Sequence, residues 1–326
     1  MLKQWGSPAL VLKFVATIDI FSLMQQRNTL IVVTGPTATG KTGAAIAMAQ
    51  RLHCHIINAD SRQIYRGIPI VTAAPTPEQL ALVPHHFVAF KDLDEYYSAW
   101  QFEQDVMALL PSLWQQGNCV VMCGGSMLYV DAVCRGIDPM PSISDEVRTA
   151  VAQKFETQGL AALVDELRTL DPVYCQSLDL NNTRRVMHAV EVCRQAGVPY
   201  STLMSGVSRE RPFSIVKVAL ELDRETLFAR INARVDAMVA AGLEHEARSV
   251  YHLRHLNALN TVGLKEMFAY FDGTMPRDIA IERIKKNTRV YAKKQLTWLR
   301  RDTTIHWLRS WDELLDYSSS LLGTQV

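Results

Sequence analysis

Residues 35–42 read Gly35-Pro36-Thr37-Ala38-Thr39-Gly40-Lys41-Thr42. The pattern is two glycines around four residues, then lysine and threonine, and few folds accept it. It needs a strand before it and a helix after it. Leu30-Ile31-Val32-Val33 supplies a short apolar run, and Gly43 to Leu52 is rich in helix formers. The backbone N–H groups of such a loop curl around an oxyanion, and the following helix adds its positive end. Lys41 adds a full charge, and Thr42 can place its hydroxyl on a magnesium ion. The chain therefore grips a di- or triphosphate. The loop alone leaves open what is done with it.

The segments that follow set the fold class. His55–Asp60 is a second strand ending in a carboxylate. Pro69, Pro75 and Pro77 punctuate a long loop, and His86–Phe90 is a candidate third strand. A helix runs from Ser98 to about Gln115. Cys119–Cys123 is a buried strand leading into Gly124-Gly125. Residues 143–198 then turn helical, with breaks at Gly159, Asp171-Pro172 and Gly197-Val198-Pro199. Ile215–Leu220 resumes a strand, followed by helices over 224–241, 244–256 and 277–301. A last strand at Thr304–Leu308 and a short terminal helix close the chain. Alternating strands and helices imply a parallel sheet covered on both faces. The expected fold is α/β: a P-loop NTPase-like parallel sheet flanked by helices, with an inserted helical subdomain. The expected divisions are an N-terminal extension at 1–28, a first core part at 29–142, a helical insertion at 143–209 and a second core part at 210–326.

Composition narrows the partners. The chain has 326 residues, 48% of them apolar, and a net charge of +1. Any nucleic-acid contact must then come from a local patch. Six cysteines form no C-x-x-C pair, which fits a reduced cytoplasmic protein without disulfides. The apolar pieces of residues 1–23 are broken by Lys13 and Asp19 and are too short to span a bilayer. They read as a dispensable extension ahead of Met24.

Two further features carry chemistry. Asp60 ends its strand at the sheet edge where ligands gather. There it can serve a magnesium ion or act as a base, or simply cap the next turn. The helix at 277–301 carries nine Lys and Arg residues against Asp278 and Glu282. Ile284, Tyr291 and Trp298 recur every seven residues and can face the core. Lys286, Arg289, Lys293 and Arg300 then share another face, which suits either solvent or a nucleic-acid backbone.

These residues together resemble the tRNA dimethylallyltransferases, which prenylate an anticodon-loop adenosine. The resemblance spans about Thr29 to Leu308. Gly35–Thr42 resembles G-P-T-A-[ST]-G-K-T. Asp60-Ser61-Arg62-Gln63-Ile64-Tyr65-Arg66-Gly67 resembles D-S-x-Q-[VI]-Y-[RK]-G. Gly124–Tyr129 is similar to G-G-T-G-L-Y, and Ala292–Arg300 to A-K-R-Q-x-T-W-x-R. Departures are Ala74 for a lysine, Ser126-Met127 for Thr-Gly, Asn182 to Arg185 and His188 in place of D-x-Q-R and an arginine, and Leu264 for a tyrosine. Arg184 and His188 alter the RNA-facing pattern most.

The resemblance implies a reaction and its residues. Dimethylallyl diphosphate would give its prenyl group to N6 of adenosine, expected at position 37 in tRNAs reading codons that begin with U. Asp60 would be the base, and Ser126 would stand near the reacting centre. Gly35, Pro36, Thr37, Ala38, Thr39, Gly40, Lys41 and Thr42 would hold the donor, with Mg2+ on Thr42. Arg230 and Arg234 would complete that clamp or pair at the surface. Asp60, Ser61, Arg62, Gln63, Ser126, Arg148, Arg184, Arg185, Val186, Met187, His188, Asn260, Thr261, Val262, Gly263, Leu264, Lys265, Arg289, Lys293, Lys294 and Gln295 would contact the tRNA. A monomer without membrane partners is expected. The rival within the same chemistry is an adenylate isopentenyltransferase acting on free nucleotide; the helical insertion and the basic helix weigh against it.

Overall fold

The computed structural model describes residues 28–206 and 208–315. The expected extension at 1–23 lies outside the described residues. One compact unit comprises the described chain up to Cys134 and again from Arg211; the other is Arg135–Glu210.

The first unit is built on β1 (Thr29–Thr34), β2 (Ile56–Asn58), β3 (His85–His86), β4 (Cys119–Cys123), β5 (Ser214–Leu220) and β6 (Ile305–Leu308). They form one parallel sheet in the order β3-β2-β4-β1-β5-β6. Every residue of β1, β2 and β4 is buried, as expected of strands covered on both faces. Val33 pairs with Cys123, Asn58 with Cys123 and Thr34 with Ala219. The carboxyl ends of β1, β2 and β4 therefore finish level, and three loops leave from one edge.

The helices follow in chain order. They are α1 (Lys41–Arg51), α2 (Pro69–Thr72), α3 (Pro77–Leu82), α4 (Ala99–Leu113) and α5 (Met127–Arg135), then α6 (Asp145–Leu170), α7 (Pro172–Ser177), α8 (Thr183–Ala196) and α9 (Tyr200–Leu203). The last four are α10 (Arg224–Ala240), α11 (Leu243–Ser249), α12 (Leu264–Phe271) and α13 (Arg277–Leu299).

Several expectations need correction. The third strand is two residues long, because Phe87 and Ala89 adopt positive φ and turn the chain out of the sheet. The proline-marked loop contains α2 and α3, since proline at a first helical position starts a helix as readily as it ends one. Thr76 and Gln79 close a capping box on α3. The helix expected over 244–256 stops at Ser249 and gives way to a short 3-10 turn at Tyr251–Leu253. On α13 the buried residues are Ala280, Ile284, Ala292, Gln295 and Leu299, while Tyr291 and Trp298 are exposed. A polar residue, Gln295, has taken the inward position that the seven-residue spacing assigned to aromatics.

The second unit has its own core. Val151, Leu163, Leu167, Val186, Val190 and Cys193 pack between α6 and α8. Gly159, at φ 76°, breaks α6 where the sequence marked a break. Glu166 accepts hydrogen bonds from Lys154 and, with both oxygens, from Arg194. Asp171 caps α7 and also accepts from Ser201.

One buried ion pair fastens the far side of the sheet. Lys217 of β5 donates to Asp302 at 2.7 Å, and both side chains are almost wholly buried. Burial alone raises a carboxyl, but the hydrogen bonds from Lys217 and Thr304 prevail and hold Asp302 well below the usual carboxylate range. Its contribution to stability is present above the unfolded carboxyl pKa, near 4, and is lost as pH falls below that value. Lys217→Met leaves the carboxylate buried and unpaired, so the variant should lose about 3–5 kcal/mol in denaturant unfolding. A loss under about 1 kcal/mol would show the pair to be dispensable.

Candidate active site

The Gly35–Thr42 loop leaves β1 with positive φ at Gly35, Ala38 and Gly40. Ala38 carries a side chain in that region, so the loop is held by its surroundings rather than by preference. Thr39 Oγ1 donates to the Pro36 carbonyl at 3.0 Å. Trp311 Nε1 donates to the Thr39 carbonyl at 2.7 Å, and Gln295 Oε1 accepts from Thr37 N–H at 3.0 Å. Lys41 Nζ donates to the Pro36 carbonyl at 2.7 Å.

Lys41 lies at the floor of this loop, partly accessible yet surrounded by protein. Loss of hydration lowers its pKa to about 8; Arg234 lowers it further, while Cys123 and Asp60 oppose the shift. The Cys123 thiol, at the end of β4, is pushed up to about 11 by burial. Thr42 is the second residue of α1, and its hydroxyl has no hydrogen-bond partner among the described residues. No trio of His, Cys, Asp or Glu gathers to cage a metal among them. A free hydroxyl plus the oxygens of a bound diphosphate is a donor set that magnesium accepts, so these residues fit the ion.

Asp60 lies two residues past the end of β2, which stops at Asn58 rather than at the carboxylate the sequence suggested. Ala59 N–H donates to the Cys123 carbonyl at 2.8 Å, Gly124 N–H to Val33, and Ser126 N–H to Ala59. Thr34 Oγ1 donates to the Gly124 carbonyl at 3.1 Å. The three strand ends are thus sewn together. A Cβ on Gly124 would sit 2.1 Å from the Ala59 carbonyl oxygen, which is why this position needs glycine. Asp60 Oδ1 accepts from Arg62 N–H at 2.9 Å and Gln63 N–H at 3.3 Å. The carboxylate does cap its turn, but only through one oxygen; Oδ2 accepts no hydrogen bond from the described residues. Ser126 Oγ accepts from Ser61 N–H at 2.8 Å and donates to Ser61 Oγ at 3.1 Å. The serine hydroxyl is therefore fixed one residue from Asp60.

Two more groups feel the Asp60 charge. The Arg234 guanidinium on α10 is lowered by burial and supported by Asp60, with no hydrogen-bond partner among the described residues. Arg230, four residues earlier, is exposed. Tyr291 was expected in the core. Instead part of its ring is exposed, and its phenol is pushed up to about 12 by lost hydration and by Asp60. It stays protonated, a donor beside a carboxylate. No motif pointed to Tyr291 as a site residue; its place in the seven-residue spacing with Ile284 and Trp298 pointed to the core instead.

The residues expected to touch RNA divide into two sets. Arg62 donates to the carbonyls of Asn257, Ala258 and Asn260, and Gln63 Nε2 to those of Thr72 and Ala73. These side chains tie loops together. Asn260 and Lys265 are exposed, Thr261 and Val262 are half-buried, and Gly263 is buried. Gly263 N–H donates to Glu266, whose other oxygen accepts from Asn287. On α13, Lys293 and Lys294 are exposed and Arg289 donates to Asn232. Arg224, Arg289 and Lys293 all lie within 6 Å of the Phe228 ring. Leu264 and Gln295 are buried, with almost no side-chain surface to offer an RNA, which corrects their expected place. In the second unit Arg184, Arg185 and His188 are exposed on α8, Met187 is half-buried and Arg148 donates to the Ile143 carbonyl. Val186 is buried in that unit's core, a third correction, because it falls on the apolar stripe of its helix.

Known proteins share this sequence and fold. The IPP transferase family matches residues 63–302. A tRNA dimethylallyltransferase of Parabacteroides distasonis is 52% identical over 280 residues, covering 86% of this chain and 94% of that protein. One from Phocaeicola vulgatus is 48% identical over 296 residues, covering 90% and 99%. The structure of a tRNA isopentenylpyrophosphate transferase from Bacillus halodurans is 32% identical and superposes with a TM-score of 0.65, covering 91% of this chain and 98% of that one. A eukaryotic dimethylallyltransferase acting on tRNA, 24% identical, shares the fold with a TM-score of 0.72 over 86% and 73%. Among the described residues no helix is long and apolar enough to cross a membrane.

Proposed function

The chain belongs to the IPP transferase family of tRNA dimethylallyltransferases, and from that premise we propose that it moves a dimethylallyl group from dimethylallyl diphosphate to N6 of an anticodon-loop adenosine. The expected target is position 37 of tRNAs reading codons that begin with U. The observation that carries this reading is the free Oδ2 of Asp60, oriented by its own turn at the sheet edge it shares with the donor loop.

The N6 lone pair forms a bond to C1 of the donor as the C1–O bond breaks and diphosphate departs. Asp60 takes the N6 proton. A base here must be unprotonated and correctly aimed, and the two backbone N–H donors aim it. Lys41 and Arg234 meet the negative charge that builds on the departing diphosphate. Magnesium, held by Thr42 and the phosphate oxygens, would add neutralising charge when bound. Ser126, fixed against Ser61, orients a polar group at the prenyl carbon or at N6. The adenosine must leave its stack to arrive. Arg289, Lys293 and Lys294, with Asn260 and Lys265, would hold RNA backbone on the first unit, and Arg148, Arg184, Arg185 and His188 are RNA contacts proposed for the helical unit taken by itself.

The test is direct. Pure protein is incubated with magnesium, dimethylallyl diphosphate and unmodified tRNA bearing three adenosines at the expected site, and the digested nucleosides are weighed. Adenosine heavier by one dimethylallyl group is the expected result. Prenylation of free AMP or ATP with none of tRNA would sink the reading in favour of an adenylate transferase.

A further inference from the structure

Gln295 is a polar side chain in an apolar position. It is 2% exposed, and both ends of its amide are engaged. Oε1 accepts from Thr37 N–H at 3.0 Å, and Nε2 donates to the Gly125 carbonyl at 2.8 Å. One partner is a donor and the other an acceptor, so only one orientation of the amide satisfies both. Gly125 is shaped to this contact, because a Cβ there would lie 2.6 Å from Nε2. Gly125 precedes Ser126, whose hydroxyl holds Ser61 beside Asp60. Thr37 belongs to the donor loop. The neighbouring Ala292 and Leu296 pack with Leu227, Ile231 and Ala38, so helix and loop also share apolar contact.

We infer that Gln295 is a positioning residue that fixes the donor loop and the Gly125–Ser126 turn to helix α13 as one body. It touches neither donor nor RNA. It sets where the diphosphate cradle stands relative to Ser126 and Asp60, and it uses the helix that presents Lys293 and Lys294 outward. The inference rests on the donor-site reading above. A buried amide that loses both partners leaves two backbone groups unsatisfied, at a cost equivalent to about tenfold or more in an equilibrium constant.

The experiment measures binding of inorganic diphosphate, with magnesium, to the full chain by calorimetry, and binding of tRNA separately. Gln295→Leu is expected to weaken diphosphate binding by about tenfold and leave tRNA binding unchanged. Gln295→Glu supplies a signature that a packing role would lack. Ionised, the new carboxylate still accepts from Thr37 but opposes the Gly125 carbonyl. Protonated, it can donate to Gly125 again, so below about pH 8, where wild-type binding is expected to stay level, diphosphate binding by the variant should recover toward wild type as pH falls. Weakened tRNA binding with unchanged diphosphate binding would make Gln295 an RNA contact and overturn the inference. Unchanged diphosphate binding in Gln295→Leu, or a flat Gln295→Glu profile, would also overturn it. If Gln295→Leu fails to fold, the Gln295→Glu profile decides. A wild-type protein that binds no diphosphate would instead sink the donor-site reading.

Discussion

Asp60→Asn should slow prenyl transfer by about two to four orders of magnitude, the usual contribution of a placed base. Asparagine keeps an oxygen to accept from Arg62 and Gln63, so the turn that aims the group should survive. What it loses is the free Oδ2 and the negative charge. The kcat for tRNA prenylation should fall while the melting temperature and donor affinity change little. Retention of more than a tenth of the wild-type rate would mean that another group takes the N6 proton. Ser126→Ala offers a contrast. It frees Ser61 but leaves the carboxylate in place, so its effect should be smaller.

The second large effect belongs to Lys41. Lys41→Ala should weaken dimethylallyl diphosphate binding by about ten- to a hundredfold, as charge-assisted bonds to phosphate are worth about 1.5–3 kcal/mol. The pH dependence follows from its environment. The folded pKa is lowered to about 8, chiefly by burial. The Lys41 charge proposed to meet the diphosphate is therefore present well below pH 8 and is lost as pH rises through that value. Donor affinity of the free protein should decline above about pH 8 and stay level below it. Lys41→Arg remains charged throughout and should remove the break. A break that persists in Lys41→Arg would assign the titration to a different group.

Much of the fold around this candidate site was legible in the sequence. The Gly35–Thr42 loop is a local device, and its strand, glycines and helix are contiguous in the chain. The β4 strand and its Gly124-Gly125 ending were read correctly, because a short apolar run closed by glycines has few alternatives. Asp60 was legible as lying just past a strand, though the strand itself stops two residues earlier, at Asn58. Harder to see was which polar side chains the fold spends on itself. Arg62, Gln63 and Gln295 carry donors and acceptors that suit RNA, yet their partners are backbone groups 9 to 258 residues away. Periodicity could not place Gln295 inside and Tyr291 outside, since it ranks residues by polarity and Gln295 is buried through its hydrogen bonds. The two-residue β3 was also beyond a pattern argument, because its end is set by positive φ at Phe87 and Ala89.

The strand order has a bearing on how the protein is made. β1 sits between β4 and β5, and roughly 180 residues separate its end from the start of β5. At a ribosomal pace of about 5–20 residues per second, that edge of β1 waits on the order of ten to forty seconds for its partner. An apolar strand with an open edge is then a template for the wrong neighbour. The stretch synthesised during the wait includes Arg135–Glu210, which has a core of its own and can close by itself. The nascent chain thus completes a self-contained helical piece before the sheet gains its second half.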